Sequence, residues 1–248
     1  MIIIKSKKEL ECMRQAGLIV ADTLERLAGL VKPGITTATL DRFAEDYLAK
    51  RGAKPAFKGY KGFPASICAS VNQEVVHGIP GKRRLKEGDI ISIDLGAIVD
   101  GWYGDAAITV PVGEVDPEIM RLLKVTEESL YLGIGAARPG VRLGVVSNTI
   151  QKHVEKAGFS VVRQYVGHGI GRQMHEDPPV PNFGRPDRGP LLEEGMTIAI
   201  EPMVNAGGYE VVVAPDNWTV ITKDGSFSAH FEHTIAITSN GPEILTRK

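Results

Sequence analysis

The chain writes one sentence twice, and that repeat limits what it can fold into. LKEGDIISID, residues 85 to 94, reappears as LEEGMTIAIE, residues 192 to 201, at an offset of 107. Gly88 and Gly195 align, and an acid follows each, Asp94 or Glu201. Upstream, the stretch from Lys32 matches the stretch from Arg138 at an offset of 106, pairing Pro33 with Pro139, Gly34 with Gly140 and Gly52 with Gly158. Downstream, GDAAITV around Asp105 parallels FEHTIAIT around Glu232, and His-Gly-Ile occurs at 77 to 79 and again at 168 to 170. A long period used only twice is not a solenoid. It predicts two similar halves, roughly 1–115 and 116–248, packed about a pseudo-two-fold as one domain. Each half then brings two acids to the interface.

Strand periodicity places Ile91, Ile93 and Leu95 on one face and Ile90, Ser92 and Asp94 on the other. All four acids share a face with small residues: Asp94 with Ser92, Asp105 with Ala107 and Thr109, Glu201 with Thr197 and Ala199, Glu232 with Thr234 and Ala236. Small neighbours leave room for a ligand. Asp94 and Asp105 are expected at the ends of two apolar strands joined by a turn. A lone acid near a strand end is ordinarily solvated or a cap. The repeat changes that reading, because four carboxylates meeting at an interface stay ionised only if cations compensate them.

His168, following the expected strand SVVRQYV, would add one nitrogen, although its spacing alone fits a turn histidine equally well. Oxygen-rich ligation with one imidazole suits Mn, Fe or Co, or a hydrolytic Zn, and argues against structural zinc. So many carboxylate oxygens favour two bridged ions over one. Such a pair would hold a bridging hydroxide as nucleophile.

The rest of the sequence reads as scaffold. Ser6 with Glu9 forms a capping box for an amphipathic helix ending at Pro33-Gly34. A second helix runs from about Thr37 to Arg51, Asp116-Pro117 starts a third to about Ala137, and a fourth ends near Ala157. PPVPNFGRPDRGP, from Pro178, reads as an ordered surface excursion. The loop carrying Phe57, Tyr60 and Phe63 reads first as packing, as do Trp218 and the small hydrophobe Cys68. His153 reads as solvated, His230 flanks Glu232 without a clear role, and His233 alternates away from the site.

A net charge of −1 gives no footprint for nucleic acid or an anionic membrane surface. MIIIKSKKEL is too short an apolar run for a signal peptide, and nothing reaches transmembrane length. Two cysteines, Cys12 and Cys68, make neither a disulfide framework nor a thiolate cluster. The expectation is a cytoplasmic, monomeric protein.

NQEVVHGIP, DLGAIVDGWYGDAA, GHGIGRQMHEDP, GMTIAIEPM and FEHTIAIT, in that order, resemble type I methionine aminopeptidases over nearly the whole chain. The resemblance implies the α+β, duplicated pita-bread (creatinase/aminopeptidase) fold, an antiparallel curved sheet covered by helices. It implies Asp94, Asp105, His168, Glu201 and Glu232 as ligands of two divalent metals, Co, Mn, Fe or Zn, with Asp105 and Glu232 bridging. It implies that His77 and His175 contact the substrate around the scissile amide and that Glu201 moves a proton from the nucleophilic water. An apolar methionine pocket maps onto Phe57, Tyr60, Phe63, Cys68 and Trp218. Met174 stands where many relatives carry an aromatic residue, and Phe57 is bulky for its place. Asn72 and Ser228 match positions where relatives hold a monovalent cation. With no zinc-finger extension and no large insertion, the chain looks like the short bacterial form. The implied partner is the N-terminal methionine of nascent polypeptides with a small second residue, met with transient ribosome contact. Two rivals remain: an X-prolyl aminopeptidase or prolidase of the same fold, and a non-catalytic pita-bread binding protein.

Overall fold

Ser6 opens the first helix, α1 (Lys7–Leu30), by a reciprocal box: its hydroxyl accepts from the Glu9 amide, and the Glu9 carboxylate accepts from the Ser6 amide. In the computed structural model, which describes residues 1–248, α2 (Thr37–Lys50) follows from a Thr36 cap. The first half then forms β1 (Lys54–Pro55), β2 (Cys68–Val71), β3 (Glu74–Val76) and a long hairpin, β4 (Ile90–Val99) with β5 (Trp102–Pro111). Asp116 caps α3 (Pro117–Ala136), and α4 (Leu143–Lys156) comes after Pro139-Gly140. The second half continues with β6 (Ser160–Val161), β7 (Gly167–Gly169), β8 (Glu176–Val180), β9 (Thr197–Ile200) and β10 (Met203–Asn205). It ends with β11 (Val211–Val213), β12 (Val220–Thr222), β13 (Ser228–His230), β14 (Glu232–Thr238) and β15 (Gly241–Ile244).

One nine-stranded antiparallel sheet spans both halves in the order β1-β4-β5-β14-β9-β7-β8, with β2 also on β4 and β15 on β14. The halves join where β5 pairs β14, Ala107 opposite Glu232 and Ala106 opposite His233. The duplication is visible bond by bond. Gly34 donates to the Leu85 carbonyl (2.7 Å), and its counterpart Gly140 donates to Leu192 (2.8 Å). The isolated bridge Thr36 to Arg84 is matched by Arg142 to Leu191. Gly88 and Gly195 both turn at positive φ, 86° and 90°, a conformation that favours glycine, just before the strand that leads to an acid.

The helices cover one face of this sheet. Ile91, Ile93 and Leu95 are buried against α1 and α2, while Ile198, Ile200, Ile235 and Ile237 join the core under α3 and α4. Burying each such side chain stabilises the fold by about 1.5–3 kcal/mol. The alternate residues face the other way, and there the acids lie.

Three details differ from the sequence reading. Asp94 and Asp105 sit mid-strand, because the hairpin reverses farther out, at Asp100 and Gly101, both at positive φ. SVVRQYV is not one strand: Ser160 and Val161 pair with β10 in a separate three-stranded sheet, and the chain crosses to the large sheet before Gly167. The proline-rich stretch is irregular only after Val180, since Pro178 to Val180 belong to β8. That strand ends the path, where prolines, which lack an N–H to donate, are tolerated. No helix is long and apolar enough to cross a membrane.

A close approach seats α1 on the sheet. A Cβ added to Gly104 of β5 would lie 2.8 Å from the Gly17 amide nitrogen, so backbone meets backbone there. Gly104→Val is expected to destabilise the protein by about 1–3 kcal/mol or more through overpacking. An unchanged urea midpoint would contradict that contact.

Candidate metal centre

Register brings the acids together. Asp94 of β4 and Glu232 of β14 both lie opposite Ala107 of the intervening β5, whose methyl leaves space between them. Asp105 lies two residues along from Ala107 on the same face. His233 pairs with Ile200, so the next step along each antiparallel strand sets Glu232 beside Glu201, immediately after β9. His168 of β7 pairs with Ala199 and reaches the same space. Asp105, His168 and Glu232 offer ligand atoms all within 4.8 Å of one another.

The histidine's tautomer follows from its neighbour. His168 Nδ1 is 2.8 Å from the Gly169 carbonyl, which can only accept, so Nδ1 carries the proton. Nε2 therefore presents a lone pair, 3.8 Å from Asp105 Oδ2 and 3.7 Å from Glu201 Oε1. With both carboxyls ionised, acceptor faces acceptor with no hydrogen between them. Asp94 Oδ1, Asp105 Oδ1 and Glu232 Oε1 are also buried without a hydrogen-bond partner. Divalent metal satisfies such a donor set without protonating the carboxyls, and the residues present fit it.

The electrostatics agree. Burial raises the carboxyls of Asp94, Glu201 and Glu232 well above their ordinary range, and the charge of neighbouring acids raises them further. Burial pushes Asp105 up to about 7. Burial, with the charge of His175, holds His168 down to about 4. An imidazole neutral at pH 7 is the form that ligates metal.

Beside these groups lies a cavity of about 160 Å³. Buried Phe57, Phe63, Cys68 and Met174 form its apolar wall, with half-buried Tyr60 and Trp218. Phe63 meets Trp218 edge-on at 5.2 Å. His77, at φ 60°, sits edge-on to Trp218 at 6.5 Å and to Tyr165 at 5.7 Å. That φ is uncommon outside glycine and marks strain at this position. Burial, then the charges of His175 and Lys61, lower His77 to about 4. His175 is exposed on the opposite side, its ring 4.2 Å from that of His168, and a hydrogen bond joins its Nδ1 to the Tyr60 hydroxyl (2.9 Å). The structure thus gathers every residue singled out for metal, substrate and pocket around one cavity.

Other residues fall elsewhere. His233 faces away, its Nδ1 2.9 Å from Thr246 Oγ1. Asn72 and Ser228 are neighbours off the cavity, the Ser228 amide donating to the Asn72 carbonyl (2.9 Å). Sequence reasoning left three groups unused. Lys61 lines the cavity. The Asn182 side-chain Nδ2 donates to the Glu201 carbonyl (3.0 Å). His230 is 2% exposed with neither nitrogen partnered, and its Nε2 is 3.7 Å from Glu201 Oε2. Its spacing of two residues from Glu232 was the available signal for that shared face.

Residues 11–239 match metallopeptidase family M24. A methionine aminopeptidase of Clostridium acetobutylicum is 59% identical over 247 residues, covering 99% of each chain. The chain belongs to metallopeptidase family M24, in its methionine aminopeptidase branch. A crystal structure of methionine aminopeptidase from Thermotoga maritima superposes with a TM-score of 0.99 at 51% identity over 100% of both chains. The prolidase of Pyrococcus furiosus shares the fold at a TM-score of 0.82, but this chain is 24% identical to it and covers 66% of its length. Within M24, full-length agreement with the methionine enzymes separates this chain from the prolyl-peptide enzymes. The fold is the curved pita-bread sheet of that family.

The linked titrations have a definite sign. Acids raised in the folded state favour protonation there, so each contributes stability below its unfolded value and loses it as pH rises through the folded one. The buried histidines act oppositely, but only below their ordinary value of 6.5. Between about pH 6.5 and 8, chelator-treated protein is therefore expected to lose thermal stability as pH rises, while Mn-loaded protein does not. Parallel pH profiles with and without metal would contradict the assignment.

Proposed function

We propose that the chain is a cytoplasmic methionine aminopeptidase, one catalytic unit acting as a monomer, that hydrolyses the initiator methionine from nascent polypeptides whose second residue is small. The observation that carries this reading is a single-side-chain apolar cavity opening onto an acceptor-only cluster. Its volume, about 160 Å³, is well below the roughly 300–1,000 Å³ of common ligand pockets, so it suits one side chain and not a length of peptide. Phe57, Phe63, Cys68, Met174 and Trp218 would hold the methionine thioether, a polarizable group suited to aromatic and sulfur neighbours. Tyr60, His77 and His175 take up further space around the cavity, which disfavours a bulky second residue. Such N-termini occur on chains still emerging from the ribosome, and contact there would be transient.

Asp94, Asp105, His168, Glu201 and Glu232 would hold two divalent ions. Ions so held supply Lewis acidity, which polarises the scissile carbonyl and acidifies the attacking water. Glu201 accepts the proton of that water and delivers it to the leaving amine nitrogen as the C–N bond breaks. With the Tyr60 hydroxyl as donor in its hydrogen bond to His175 Nδ1, Nε2–H is left to donate to the oxyanion that develops on the carbonyl. His77, kept neutral by burial, contacts the amide from the opposite side. The apolar wall excludes competing water from the bond being cut.

Release of free methionine from Met-Ala-Ser by chelator-stripped protein is expected to depend on added Co, Mn, Fe or Zn. Glu201→Gln is expected to reduce kcat by about 10²-fold or more, as for loss of a general base. Cleavage of Xaa-Pro peptides with none of Met-Ala-Ser, under any metal, would overturn this reading in favour of a prolyl-peptide enzyme.

A further inference from the structure

Outside the ligand set, one ion pair is almost completely buried. Lys5 Nζ lies 2.5 Å from Glu176 Oε2, with the two side chains 2% and 3% exposed. It joins the N-terminal arm to the second half of the chain, 171 residues away. Burying two charges costs about as much as their attraction returns, so such a pair is poor evidence of a stabilising role. What it fixes is geometry.

The other oxygen of Glu176 closes the turn before it: Oε1 accepts from the Arg172 amide (2.8 Å) and the Gln173 amide (3.2 Å). The Gly171 amide donates to the Gln173 carbonyl, and a Cβ on Gly171 would lie 2.6 Å from both Lys5 Cε and Glu176 Oε1. The turn is thus wrapped around one carboxylate. His175, next to Glu176, projects from it to the cavity mouth. The same arm also grips the turn that leads to Glu201: the Lys5 amide donates to the Gly195 carbonyl (2.8 Å), and Gly195 has no room for a Cβ beside Ile4 and Lys5.

We infer that Lys5 is a positioning residue for His175: by neutralising Glu176 where it is buried, it holds the Gly171–Glu176 turn closed and so aims the imidazole at the substrate. This rests on the reading that His175 meets the scissile amide. Removing Lys5 leaves the Glu176 carboxylate buried without a countercharge. The turn then opens, and the ring shifts. A displacement of about 1 Å at a group that contacts the transition state can cost up to 10²-fold in rate.

The test is a mutant cycle on metal-loaded protein with Met-Ala-Ser as substrate. Lys5→Met removes the charge, and Glu176→Gln keeps the shape and one acceptor while leaving Lys5 without its countercharge. Each is made with His175 present and in a His175→Ala background, with folding checked by circular dichroism. Acting through His175, each substitution is expected to lower kcat/KM about tenfold or more with the imidazole present and less than about twofold without it. Equal losses in the two backgrounds, or none in either, would overturn the inference. Unchanged activity in His175→Ala alone would overturn the reading of His175 itself, and the inference with it.

Discussion

Like charges confined to one cavity set the terms for everything else in this molecule. Asp94, Asp105 and Glu232 lie on three strands and Glu201 just after a fourth; burial raises all of them, and the charge of neighbouring acids raises Asp94, Glu201 and Glu232 further. A protein that needed only to fold would place methyl groups there. This one places small residues, Ala107 and Ala199, between the acids and the lone pair of His168, so that the space is kept and the charge is concentrated. Divalent cations resolve the conflict between burial and charge, and the rest of the sheet supports that arrangement.

Duplication supplies the support cheaply in sequence terms. Each half presents a helix pair, a glycine turn at positive φ and a strand leading to an acid, and the two meet across β5 and β14. Apolar positions face the helices while the alternate positions face the cavity, so one two-residue period specifies both core and site. The halves have since diverged in what surrounds the acids. The first contributes the aromatic wall around Phe57 and Phe63, and the second contributes His168 and His175.

Much of this was legible in the sequence because it depends on local pattern. The capping box at Ser6 and Glu9, the Asp116-Pro117 start and the alternation around Asp94 each act within a few residues, and each appears in the structure. What pattern alone did not reveal depends on distant partners. SVVRQYV has strand composition, yet only Ser160 and Val161 find strand partners, in the small sheet, and the remainder carries the chain across to the large sheet, which it joins at Gly167. The Lys5 and Glu176 charges look like ordinary surface residues until the fold buries them together. His230 lay within reach of a period-two argument from Glu232, but its lack of partners becomes visible only once both nitrogens are seen to be enclosed. Family resemblance added the roles expected of His77, His175 and the pocket aromatics, which no spacing in this chain implies.

The central claim, that the acceptor-only cluster is a dinuclear metal site, is tested most directly by anomalous diffraction from crystals soaked in Mn. Two peaks are predicted in the cavity, with Asp94, Asp105, His168, Glu201 and Glu232 all in metal contact. No peak in the cavity, or one ion that leaves Asp94 or Glu232 without a metal contact, would contradict the account.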